Sequence, residues 1–215
     1  MSTTTKPTHR TLGTVFNLPN QLTSLRLLLS VFLFGLIVWE HYMTSLWLFV
    51  IAAGTDWLDG YYARKYGQVT TLGRILDPFA DKVIVCGTFI FLAAVPAMIA
   101  EPWGLRAWMV VVIVGRELLV TALRSFLEER GADFSAKMAG KIKMVLQCIA
   151  AGACLVFLHY PHGAASLRPE APTWVWATMV ASIWLTILLT VYSGVAYVLV
   201  AVRLLRQDHE GDPSP

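Results

Sequence analysis

Between Gln21 and Leu205 the chain consists of six long apolar runs divided by short polar breaks. A helix that crosses a bilayer needs about 20 mostly apolar residues. The runs fall at 21–39, 45–62, 72–99, 105–126, 138–159 and 173–205. Polar, Gly and Pro residues mark the breaks, at His41-Tyr42, Lys65-Tyr66-Gly67, Glu101-Pro102-Trp103-Gly104, Glu128–Phe134 and Tyr160–Pro172. A soluble domain would carry about 25% charged residues, whereas this chain of 215 residues carries 14%, beside 56% hydrophobic. The pattern predicts an all-α integral membrane protein, a bundle of six transmembrane helices forming one domain over residues 17–206. The polar segment 1–16 has no apolar core and reads as a tail rather than a signal peptide. The acidic segment 207–215 reads as disordered.

Six spans put both termini on one side. Sorted by that topology, all of the 17 Lys and Arg residues except Arg106 and Arg168 lie on the side of the termini or at the helix ends facing it. The positive-inside rule makes that side cytoplasmic. A cell inner membrane is the expected location. Cys86, Cys148 and Cys154 lie in apolar runs with no CxxC pair, so they read as small buried hydrophobes. No nucleic-acid partner is expected.

Against this apolar background stands DWLDGYYARKYGQVTTLGRILDPFAD, residues 56–81. Asp56 and Asp59 are three apart and share a face of the second helix, with Gly60 and Ala63 beside them. Asp77 and Asp81 are four apart and share a face of the third. A short turn makes these helices antiparallel neighbours, so the two carboxylate pairs lie at similar depth. Four carboxylates in a low dielectric repel one another. Arg64 and Lys82 are too few to neutralise them; divalent cations with a taste for hard oxygen ligands can. Mg²⁺ favours carboxylates combined with substrate phosphates. A metal–phosphate site at the membrane boundary fits a phosphorylated lipid. Capping or arginine pairing accounts for one or two interfacial aspartates, not for two same-face pairs. Ionisable residues inside membranes are functional candidates by default.

The stretch resembles the signature of the CDP-alcohol phosphotransferases, D-x-x-D-G-x-x-A-R, eight residues, G-x-x-x-D-x-x-x-D. Asp56, Asp59, Gly60, Ala63, Arg64, Gly73, Asp77 and Asp81 fill it without departure. Six transmembrane helices also suit that family, so the resemblance covers nearly the whole chain. It implies that Asp56, Asp59 and Asp77 are ligands for a divalent cation, Mg²⁺ or Mn²⁺, with two ions per site. Asp81 would be both ligand and general base. Gly60, Ala63, Arg64 and Gly73 would line the site for the CDP group. The implied reaction is in-line attack of an alcohol hydroxyl on the lipid-side phosphate of a CDP-linked lipid, with release of CMP. The resemblance also implies a homodimer.

The acceptor must be read from other segments. NLPNQLTSLR, residues 17–26, places Asn20 and Thr23 where they could face the nucleotide; a helix N-cap with an interfacial arginine is the plain alternative. GRELLVTALRSFLEERG places Arg116, Glu117 and Arg124 in or beside the fourth helix, and SAKMAGKIKMVLQ places Lys137, Lys141 and Lys143 at the start of the fifth. A cationic pocket beside a metal–phosphate site suits an acceptor that itself carries a phosphate. Positive-inside signalling accounts for Arg130 and Lys143 but poorly for Arg116, which follows MVVVIVG and is deep. Glu117 reads as a buried partner for one of the cations. These segments resemble the R-E-x-x-x-x-x-x-R and G-K-x-K-T-x-x-Q patterns of the branch that uses sn-glycerol 3-phosphate, with Met144 where threonine is usual. The implied substrates are CDP-diacylglycerol and sn-glycerol 3-phosphate, in the lipid bilayer. Phosphatidylglycerol, serine and inositol phosphate are the competing acceptors within the family. Cation-coupled transport is the competing reading outside it.

Overall fold

The computed structural model describes residues 18–66, 71–129, 137–161 and 169–210. Side chains at 18–20, 22, 56–66, 71–78, 81, 124–129, 137–141 and 204–210 lie outside that description. Among the described residues every element is a helix: α1 (Leu18–Val38), α2 (Tyr42–Tyr66), α3 (Thr71–Ala94), α4 (Pro96–Ala100), α5 (Ala107–Glu129), α6 (Lys137–His159) and α7 (Thr173–Glu210). The six long helices match the six apolar runs in order. Two carry stretches long and apolar enough to cross a membrane, Ile142–His159 and Thr173–Arg203.

Most boundaries fall within four residues of the sequence reading, and two differ by more. The third run, expected to continue from 72 to 99, breaks at Val95 (φ −67°, ψ 126°) into α3 and the short α4. Pro96 causes the break: its ring excludes the helical conformation from the preceding residue, and it has no N–H to donate. The run stays apolar across the break, so hydropathy does not register it. At the other end, α7 continues to Glu210. The backbone of residues 207–210, assigned to the tail from sequence, is therefore helical.

The helices form a closed bundle. Neighbours meet in the order α1, α2, α6, α7, α5, α3 and back to α1, and α3 also touches α2 and α6. The core lies along these seams, with Leu33, Phe49, Phe89, Leu92, Met109, Ile113, Leu155 and Phe157 almost wholly buried. The other side of the same helices is apolar and exposed: Leu28, Val31 and Phe32 on α1 and Leu188 and Tyr192 on α7 lie at the surface. Helical spacing sets this division. On α1 the buried positions Thr23, Arg26, Ser30, Leu33 and Ile37 recur every three or four residues and so form one stripe. The stripe is polar at its first half and apolar at its second.

Two local details fix how α1 meets its neighbours. It ends in a Schellman turn: His41 N–H donates to Leu36 O at 2.9 Å and Glu40 N–H to Ile37 O at 3.1 Å. Glu40 sits at φ 60°, in the left-handed region where glycine is usual. Against α3, Gly87 leaves room for the Phe34 ring, which stacks on Phe91 at 4.8 Å and 9°. A Cβ at residue 87 would collide with that ring. Cys86 and Cys154 are buried, Cys148 is partly so, and none of the three forms a disulfide.

Candidate active site

The carboxylate signature lies on helical backbone throughout. Asp56 and Asp59 fall in α2, Asp77 and Asp81 in α3, and these two helices touch. Helical geometry at spacings of three and four puts the members of each pair on a common face. α3 stays helical through Pro78, between the two carboxylates of its pair. It is thus unlike the discontinuous helices that form transporter sites. The side chains of Asp56, Asp59, Gly60, Ala63, Arg64, Gly73, Asp77 and Asp81 lie outside the described residues, as do those of Asn20, Arg124, Lys137 and Lys141. As chemistry, four hard carboxylates carried in two same-face pairs by adjacent helices fit a divalent cation.

Two of the sequence-predicted site residues can be followed to their side chains. Thr23 is buried on the inward stripe of α1, a turn from Arg26. Arg26, interfacial in the plain alternative reading of this segment, is 2% exposed and is among the largest fully buried side chains. Ser30 donates to its carbonyl at 2.8 Å. This buried polar segment faces α3 and α2, the two helices that α1 contacts and that carry the aspartates.

Arg116 is the second. Its side chain is only 10% exposed and crosses from α5 to α7. Nη2 donates to Ser193 Oγ, and the guanidinium lies 5.5 Å from the centre of the Tyr197 ring. Gly194 leaves room for the crossing, since a Cβ there would stand 3.3 Å from Arg116 Cγ, a tight contact. Nη1 lies 3.5 Å from Glu117 Oε1.

Glu117, the next residue on α5, points to α6. Its Oε1 pairs with Lys143 Nζ and accepts from Gln147 Nε2 at 3.3 Å. The sequence expectation that Glu117 partners a cation holds, and it serves two of them, from a partly rather than fully buried position. The reading of Lys143 as a topology signal does not: its side chain is 5% exposed and tied into the bundle. A signal was available. Lys143, Gln147, Ala150 and Cys154 repeat at helical spacing and are all buried, so Lys143 lies on the inward face of α6. Ser193 and Tyr197, four apart on α7, carry the same signal.

The cluster draws on α5, α6 and α7, of which α5 and α6 touch α3. Among the described residues it brings together two cations, Arg116 and Lys143, and one carboxylate, Glu117.

A sequence model of the CDP-alcohol phosphatidyltransferase family matches residues 16–192. The chain belongs to the CDP-alcohol phosphatidyltransferase family. The matched region contains both aspartate pairs and, of the cluster, Arg116, Glu117, Lys143 and Gln147, with Ser193 and Tyr197 just beyond its end. Among curated family members, a protein of Bacillus subtilis strain 168 is 36% identical over 198 residues, covering 85% of this chain and 94% of that protein. One of Escherichia coli K12 is 32% identical over 196 residues, covering 86% and 95%. One of Pseudomonas fluorescens is 41% identical over 121 residues, covering 54% and 58%. Each is named CDP-diacylglycerol–glycerol-3-phosphate 3-phosphatidyltransferase.

Proposed function

We propose that the chain transfers the phosphatidyl group of CDP-diacylglycerol to sn-glycerol 3-phosphate, giving phosphatidylglycerophosphate and CMP. The observation that carries this is the unbroken aspartate signature on two consecutive, touching helices. The names of the Bacillus, Escherichia and Pseudomonas relatives support the same reaction.

In this reading Asp56, Asp59, Asp77 and Asp81 hold two divalent cations, Mg²⁺ or Mn²⁺. The chemistry supplied by bound cations is neutralisation of the diphosphate and stabilisation of the departing CMP. Asp81 accepts the proton of the acceptor hydroxyl, whose oxygen attacks the lipid-side phosphorus. Arg64 grips the diphosphate, while Gly60, Ala63 and Gly73 keep the helix surfaces low enough for its approach. Asn20 and Thr23 face the nucleotide. Arg116, with Arg124, Lys137 and Lys141, receives the phosphate of the acceptor.

The setting is a cell inner membrane, with six spans and with both termini and the site on the cytoplasmic side. Six helices of at least 21 residues support this. At 1.5 Å per residue, each is about as long as a hydrocarbon core of about 30 Å is thick, or longer. A homodimer is the expected assembly.

The test is CMP release by the purified protein in detergent with CDP-diacylglycerol and Mg²⁺. Glycerol 3-phosphate, inositol 1-phosphate, serine and phosphatidylglycerol are offered separately. Release with glycerol 3-phosphate alone is expected. Release with another acceptor in its place would keep the chemistry and overturn the acceptor.

A further inference from the structure

Two contacts show that α5 and α7 run in the same direction and fix their register. Trp108, the second residue of α5, has its ring 6.3 Å from that of Trp184, and about two turns further on Arg116 donates to Ser193. Trp184 is the twelfth residue of α7. At 1.5 Å per residue, α7 therefore runs about 16 Å, about three turns, past the start of α5. On that side the bundle has a step, and the connection from Glu101 to Arg106 forms its floor. Trp103, in this connection, has its ring 6.4 Å from that of Trp184. Trp103 and Trp108 stand on the step, 57% and 51% exposed.

Arg106 lies between these two indoles in sequence and is clamped to the floor. Nη1 donates to Ile99 O at 3.0 Å, and Nη2 donates to Glu101 O at 3.1 Å and Pro102 O at 3.4 Å. All three acceptors are neutral carbonyls. They orient the fork without cancelling its charge, and they leave over the Nε hydrogen and one on Nη1. Glu101 gives Arg106 its backbone carbonyl, while its carboxylate accepts from the Trp103 N–H at 3.5 Å. Among the described residues no carboxylate pairs with Arg106. The acids at this end of the bundle are Glu40, Glu101 and Glu170, all of them described, and segment 162–168 contains no Asp or Glu. The acidic side chains outside the description belong to the other end, with the aspartate signature.

A fixed guanidinium suits an oxyanion that accepts two N–H groups at once. Exposed indoles suit a partner that is apolar on one side and wet on the other. One kind of molecule supplies both. We propose that the step is a binding site for an anionic phospholipid: Arg106 receives the phosphate, and Trp103 and Trp108 lie against the glycerol and the upper acyl chains. A free phosphate would use the guanidinium and leave the indoles bare. The proposal rests on the membrane setting proposed above. The step stands at the end of the bundle away from the aspartates, so its occupant is a lipid of the other leaflet and not a substrate.

The test places the full chain in phosphatidylcholine nanodiscs doped with a photoactivatable lipid. The probe is phosphatidylglycerol or phosphatidylcholine, each with a diazirine at the same acyl position near the glycerol. After irradiation, peptide mass spectrometry counts lipid adducts on residues 101–108. Wild type is expected to carry several-fold more adducts from phosphatidylglycerol than from phosphatidylcholine. Arg106→Gln removes that excess, and inorganic phosphate does not compete it away. Equal adducts from the two lipids in wild type, an excess that survives in folded Arg106→Gln, or an excess abolished by inorganic phosphate would each overturn the proposal. So would a segment that neither lipid labels while the rest of the chain is labelled, because another protein surface would then cover the step. Where Arg106→Gln fails to fold, the two-lipid comparison and the phosphate competition in wild type decide. A chain that enters no nanodisc contradicts the proposed membrane setting instead.

Discussion

Charge balance in the buried cluster predicts an asymmetry that can be measured without any substrate. Arg116, Lys143 and Glu117 sum to one positive charge, with side chains 10%, 5% and 19% exposed. Glu117→Gln raises the sum to two and leaves both cations without their shared anion. Removing one partner of a buried pair costs about 3–5 kcal/mol. Lys143→Met lowers the sum to zero: Glu117 keeps Arg116 at 3.5 Å and Gln147 at 3.3 Å, and a flexible apolar chain of similar length fills the space. Replacing buried charge by apolar volume is often close to neutral, so a loss under about 1.5 kcal/mol is expected. For a chain of this size about 1 kcal/mol shifts the melting temperature by about 2–4 °C. Glu117→Gln should therefore melt roughly 6–20 °C below wild type, and Lys143→Met within about 6 °C of it. Tryptophan fluorescence during heating in detergent micelles reads both. Equal losses in the two variants would refute the reasoning, because they would make the ion pair itself, and not the net buried charge, the controlling quantity.

Three further outcomes follow from the packing. Gly87→Val drives a branched side chain into the Phe34 ring, and overpacking of this kind costs about 1–3 kcal/mol; the thermal melt should fall, and no fall would mean that α1 and α3 separate freely. Glu40→Gly relieves a non-glycine residue at φ 60° in the α1–α2 turn; left-handed strain of about 1 kcal/mol is removed, so the same melt should rise by a few degrees. Arg116→Lys keeps the charge but loses the planar fork that reaches Ser193 and Glu117 together. Its acceptor KM should rise about tenfold with the donor KM little changed, and an unchanged acceptor KM would remove Arg116 from the acceptor site.

Much of this architecture is legible in the sequence because long apolar runs leave the backbone few ways to satisfy its polar groups. Away from water a helix satisfies them within its own segment, and the six apolar runs appear as six long helices in order. What the runs conceal is local backbone chemistry. Pro96 ends α3 without changing hydropathy, since Val95, Ala97 and Met98 on either side are buried and apolar. The aspartate signature is legible for the opposite reason: four carboxylates in an apolar setting have few stable arrangements. The roles of the cations are less legible. Charge counting gives Lys143 and Arg26 an orienting role, because every cation near a helix end serves the positive-inside pattern equally well. Helical phase separates them. Arg26 shares its stripe with Thr23, Ser30 and Leu33, and Lys143 shares its own with Gln147 and Ala150. The partners of Arg116 on α7 depend on which helices pack together, and one sequence does not state that.

The central claim is that the aspartate signature on α2 and α3 carries phosphatidyl transfer to glycerol 3-phosphate. Its most direct test is incorporation of radiolabelled glycerol 3-phosphate into chloroform-extractable lipid by the purified chain with CDP-diacylglycerol and Mg²⁺. Wild type, wild type with EDTA, and Asp81→Asn at matched thermal stability are compared. The account predicts labelled phosphatidylglycerophosphate from wild type, and none above background with EDTA or from Asp81→Asn. Undiminished label from folded Asp81→Asn would contradict it.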